Sequence, residues 1–221
     1  MISLIVAAAI SGAPPVFGSL PPRLPPTDIC ARDAGFVAFR NRLRAVVARR
    51  DAAALLRMAS DEVQYAVTGR YIGRVAFARF WGLDRNPSRS RIWRELDTVL
   101  RLGCGTDGRG FLWAPAMRGT GEEDVGDAPI TPMVAVGPAA YLRTGPSRSA
   151  RMIARLRWDV VGPTADNGRS AWLNVRLADG RRGFVRRDQL RSIGDYSAMF
   201  QFLHGRWQLI AFSSDNCPCN D

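Results

Sequence analysis

The chain has 221 residues, 47% of them hydrophobic, the make-up of an ordinary globular protein with enough apolar residues for one or two cores. All 31 basic residues are Arg, set against 20 acidic residues for a net charge of +11, so anionic partners are favoured. Past residue 13 no run approaches the roughly 20 apolar residues needed to cross a bilayer, which excludes a transmembrane span there.

Ile2 to Ile10 is a short apolar run followed by Ser11-Gly12-Ala13, a small-x-small cleavage pattern, although no basic residue precedes it and Pro14 follows it. It reads as a leader for export to the periplasm or beyond. Pro14 to Pro26 holds six prolines in thirteen residues and predicts an extended linker that joins neither helix nor sheet. Cys30 lacks the preceding small-residue pattern of a lipidation site.

Phe36, Phe39, Leu43, Val46 and Val47 recur at helical spacing, and Asp51 is placed to cap a second helix over Ala52 to Leu56. Val63 to Val67 predicts a short strand and Val75 to Trp81 a helix. Ser88 or Ser90 caps a further helix, with Ile92, Trp93, Leu96, Val99 and Leu100 on one face and Gly103 as its stop. Residues 105–131 read as a connecting loop, with a strand at Phe111-Leu112-Trp113.

The next stretch is the most informative. It opens with Tyr141-Leu142-Arg143-Thr144-Gly145-Pro146-Ser147 and continues through Met152 to Leu156. It closes with Trp172-Leu173-Asn174-Val175, Asp179-Gly180 and Gly183-Phe184-Val185. Asp179-Gly180 predicts a type I′ hairpin turn between half-buried strands. In order, these pieces resemble the bacterial SH3-like (SH3b) domain, with pattern L-x-V-R-x-G-P-S and then W-x-x-V-x-x-x-D-G-x-x-G-W-V. The first Val is missing, and Phe184 stands where the last Trp is usual. The resemblance implies a non-catalytic binding module of the cell envelope, an all-β barrel over residues 131–192. That segment carries twelve Arg against four Asp, while the rest carries nineteen Arg against sixteen acids, so the excess charge sits on the module. Paired Arg forks suit carboxylates such as those of peptidoglycan stem peptides. Arg143, Trp172, Arg176, Arg181, Arg182 and Phe184 are the expected ligand-binding residues.

Beyond the module, Ala198 to Leu203 and Arg206 to Ala211 flank His204-Gly205, a two-residue hairpin turn. The register sets Phe202 opposite Trp207 and Phe200 opposite Leu209 on one face, with Gln201, Leu203, Arg206 and Gln208 on the other. An aromatic face needs cover, and an SH3-like barrel is complete without it, so the hairpin is expected to return to the N-terminal helices. The fold class is therefore α+β: a helical domain over residues 27–130 and 193–221, completed by the hairpin, with the barrel inserted. Residues 1–26 form the leader and linker. Arg50 to Leu56, Asp61-Glu62-Val63, Gly69 to Arg74 and the Gly205-Arg206-Trp207 strand resemble, more faintly, the ketosteroid-isomerase-like cone domains. That similarity would imply a small-molecule site with Asp61 and Tyr65 as acid–base partners.

Four cysteines beside a leader predict disulfides. Three pairings exist, and the expected one joins Cys30, before the first helix, to Cys104, after the last. Cys217 and Cys219 then pair together or stay free. A zinc site is disfavoured because the only close pair is C-x-C. Cys104 with His204 is the only nucleophile–base combination, and Asp61 and Glu62 adjoin, so in a strand they face opposite ways. No phosphate loop is present. The chain is thus expected to be a non-catalytic envelope protein with no cofactor, no metal and no nucleic-acid partner.

Overall fold

The computed structural model describes residues 20–66, 72–119, 131–164 and 170–215 as an α+β protein with four helices and two sheets. Helix α1 (Ala34–Arg49) begins where the Asp33 carboxylate accepts from the Phe36 N–H at 2.8 Å, and it ends at Arg50, which takes a left-handed φ of 55°. Helix α2 (Ala52–Met58) is capped by Asp51, which accepts from Ala54 N at 2.9 Å. Strand β1 (Ala59–Gln64) lies earlier than the expected strand; Val67 falls outside the described residues. Helix α3 (Arg74–Phe80) and helix α4 (Ile92–Arg101) follow, the latter entered through the Ser90 hydroxyl, which accepts from Ile92 N.

Residues 105–119 are not merely a loop. Strands β2 (Gly105–Thr106) and β3 (Leu112–Ala114) pair with each other, and β3 pairs with β11 (Ser197–Leu203). With β12 (Arg206–Ser213) the first sheet runs β1-β12-β11-β3-β2, antiparallel except for the parallel β1–β12 pair. His204 and Gly205 both have positive φ, 50° and 76°, as their two-residue turn requires. Phe200 pairs with Leu209 and Phe202 with Trp207.

Phe200 and Leu209 are fully buried beneath α1. The Phe200 ring lies 5.3 Å from Phe36 and 5.8 Å from Phe39, and Trp207 lies 5.1 Å from Phe36. Phe202 stays 57% exposed and leans on Trp207. A bulge at Ile210 brings Phe212 to the core as well, and Gln208, on the face opposite the aromatic one, is buried with its side-chain amide donating to Leu203 O.

The Cys30 and Cys104 sulfurs are at disulfide distance, with a Cα–Cα separation of 5.7 Å, and this pairing joins the segment before α1 to the segment after α4. Closing a loop of that length contributes about 2–4 kcal/mol. Cys217 and Cys219 lie outside the described residues.

The second sheet occupies residues 133–192 and runs β10-β4-β7-β8-β9-β5-β6. Its strands are β4 (Met133–Ala135), β5 (Tyr141–Arg143), β6 (Met152–Arg155), β7 (Val160–Pro163), β8 (Trp172–Leu177), β9 (Arg182–Arg186) and β10 (Leu190–Ser192). Alternation buries Leu173, Val175 and Leu177 on one face of β8 and turns Trp172, Asn174 and Arg176 to the other. No closed barrel forms: among the described residues the edge strands β10 and β6 do not pair. Closure needs a hydrogen-bonded ladder between the two edges, and β10 pairs here with β4 and β6 with β5 only, so the expected barrel is an open seven-stranded sheet.

The β8–β9 turn also differs from the expected type I′. Only Gly180 has positive φ, 87°, Leu177 N donates to Arg181 O, and Gly180 N donates to Leu177 O. The result is a three-residue connection with glycine at the left-handed position.

Residues 20–26 are extended, as their prolines dictate, yet they lie against the second sheet. Proline lacks a donor but keeps its acceptor: Pro22 O accepts from Val160 N, and Leu24, free to donate, bonds to Trp158 O. Leu24 enters a cluster with Met117, Val134, Val160 and Ile193 that joins β4 and β7 of the second sheet to the segments following β3 and β10. Arg118, in the same segment as Met117, donates to Ile193 O and pairs with Asp215. No described helix is long and apolar enough to cross a membrane.

Candidate functional site

The outward face of the second sheet carries a cleft of about 290 Å³ lined by Ala139, Tyr141, Arg143, Arg148, Trp172 and Arg186. Tyr141 and Arg143 face outward from β5 because Leu142 between them is buried. Trp172 opens β8 and stands directly opposite Arg186 at the end of β9. Arg148 comes from the turn that follows Gly145-Pro146-Ser147. This arrangement places three guanidinium groups beside two aromatic rings.

Two of the three are held. The Arg143 guanidinium lies 5.4 Å from the Tyr141 ring centroid and donates through Nη1 to Ala150 O at 2.7 Å. Arg186 presents Nε and Nη2 to the two oxygens of Asp188, the Nε contact at 2.9 Å. Partial desolvation pushes the Asp188 carboxyl up. Hydrogen bonds from Arg186 and Gln189, with the field of Arg186 and Arg148, outweigh that and hold it below the usual carboxylate range. Arg148 has no hydrogen-bond or ion-pair partner among the described residues.

Of the residues expected from sequence, Arg143 and Trp172 line the cleft. Phe184 pairs with Arg143 across β5 and β9 on the same face. Arg176 and Arg182 are further along, directly opposite one another, a like-charge pair that costs stability. Arg181 sits on the turn and pairs with Asp179, whose carboxyl it holds below the usual range by side-chain and backbone hydrogen bonds. Tyr141, Arg148 and Arg186 were not anticipated. The signal for Tyr141 and Arg186 was strand alternation, two residues from Arg143 and Phe184 respectively; Arg148 had none beyond its place after the Gly-Pro turn.

The catalytic candidates are not assembled. Cys104 is buried at disulfide distance from Cys30, far from the role of a free thiolate, while His204 is exposed on its turn. Asp28 lies beside both cysteines, but its carboxylate is engaged by the buried Arg40 in two hydrogen bonds of 2.6 and 2.8 Å. Asp61 is 86% exposed and paired with Arg74, whereas the Tyr65 ring packs at a tilt on Phe80, centroids 5.1 Å apart. The space between the helices and the first sheet is filled by Phe36, Phe39, Trp93, Phe200 and Phe212, none more than 4% exposed. No family model matches the chain, and no curated protein matches it.

Proposed function

We propose that this is an exported, non-catalytic envelope protein whose residues 131–192 form an SH3-like (SH3b) module inserted in an α+β domain of residues 27–130 and 193–221. On this reading the module binds a carboxylate-bearing ligand such as a peptidoglycan stem peptide. The observation that carries it is the cleft: Arg143, Arg148 and Arg186 converge beside Tyr141 and Trp172 on the segment where the chain's charge is concentrated. Guanidinium forks match carboxylates, and aromatic walls take the adjoining apolar groups.

The motif positions support the module reading on physical grounds. Leu142 is the buried residue of β5, Gly145-Pro146 turns the chain toward β6, and Gly180 supplies the positive φ of the β8–β9 turn. The four helices beside a largely antiparallel sheet, whose last strand in sequence begins at Gly205-Arg206-Trp207, support a cone-like fold for the other domain. Its aromatic-filled interior favours a structural role over a small-molecule site.

The test is retention of the mature protein on purified cell-wall sacculi during a salt titration. Binding through guanidinium–carboxylate contacts should be retained at low salt and weaken steadily as salt rises. Absence of retention at low salt would reject the reading.

A further inference from the structure

The cleft is small, and only part of its charge is spoken for. At about 290 Å³ it lies at the lower limit of ligand pockets, the size of one small residue with its charged group and well short of a sugar chain or polyphosphate. A guanidinium has five N–H donors. Asp188 occupies the Nε and Nη2 edge of Arg186, which leaves the outer edge, formed by Nη1 and the second Nη2 hydrogen, as a fork unfilled by any described residue. Arg143 is fixed by Ala150 O and stacked on Tyr141, so it serves as wall and field more than as a second fork. Arg148, with no hydrogen-bond or ion-pair partner among the described residues, has a complete fork to offer.

We propose that the cleft takes a single free carboxylate of a short peptide on the forks of Arg148 and Arg186, and that Asp188 is the positioning residue that holds Arg186 ready to receive it. The inference rests on the reading of residues 131–192 as an envelope-ligand module. Its content is a matter of sign. Coulomb's law alone makes Asp188 a competitor, because a carboxylate next to an anion site repels the ligand, and removing it should strengthen binding. Positioning has the opposite consequence. Without Asp188 the long Arg186 side chain regains its rotamer freedom and the prepared fork is lost.

The experiment titrates the full-length protein with N-acetyl-alanyl-alanine and with its C-terminal amide, following the Trp172 indole resonance. The acid should bind more tightly than the amide, and Arg148→Ala should abolish the preference. Asp188→Ala should weaken acid binding about two- to fivefold, the scale of an exposed ion pair, even though it raises the net charge by one. Asp188→Glu, which keeps the carboxylate, should restore most of it. Tighter acid binding by Asp188→Ala would overturn the positioning role. Equal binding of acid and amide by the unaltered protein would overturn the carboxylate assignment. Retention of the unaltered protein on sacculi, measured separately, reports on the envelope-ligand reading alone.

Discussion

A Cβ added to Gly183 would lie 2.5 Å from the carbonyl oxygen of Arg143 and 3.1 Å from side-chain atoms of Ile153 and Leu142. The backbone oxygen cannot yield cheaply, so the glycine is what lets β5 approach β9 and brings Arg143 to the cleft. Gly183→Ala should therefore destabilise the second sheet by about 1–3 kcal/mol, the usual cost of overpacking, read as a lower urea midpoint. Gly145→Ala is the control: its Cβ would meet only the Ala150 methyl at 3.7 Å, and the midpoint should shift by no more than about 0.5 kcal/mol. At this scale two of the six residues that line the cleft were legible. Arg143 and Trp172 stood out because they sit in a recurring motif. Arg148 and Arg186 did not, because most Arg residues of a basic chain are solvated and only the tertiary fold decides which ones converge.

The β11–β12 hairpin shows what a local pattern can determine. His204-Gly205 fixes the turn, the turn fixes the register, and alternation places Phe200 and Leu209 against α1. Alternation failed where the ladder became irregular or non-local. The bulge at Ile210 is a local defect that binary patterning does not encode, and the parallel pairing of β12 with β1 joins segments more than a hundred residues apart. The Asp179-Gly180 turn failed differently: Asp-Gly suits two turn types, and the hydrogen bonding of the flanking strands selected the longer connection.

Because β11 and β12 are the centre of the first sheet, they are required by the helices that pack on it. Truncation after Ser192 should abolish the cooperative helical melt seen by far-UV circular dichroism, since burial of side chains such as Phe200 and Leu209 is worth about 1.5–3 kcal/mol each. An unchanged helical melt would mean that the helices are stable without the sheet.

Across the whole molecule, the Pro-rich segment packs Leu24 into an apolar cluster with Val134 and Val160 of the second sheet and Met117 of the segment that follows β3. The cleft lies on the outward face of the second sheet, where strand alternation turns Tyr141, Arg143, Trp172 and Arg186 away from the buried Leu142, Leu173 and Val185. That placement distinguishes recognition by a site from attraction by bulk charge, since Arg181 carries the same charge at the β8–β9 turn of the same sheet but is paired there with Asp179. The direct measurement is retention on sacculi by three proteins at equal salt: the unaltered chain, Arg148→Ala and Arg181→Ala. The cleft account predicts that Arg148→Ala loses most of its retention while Arg181→Ala keeps nearly all of it. Equal loss in the two variants, which remove the same charge, would contradict it and leave net charge as the whole of the interaction.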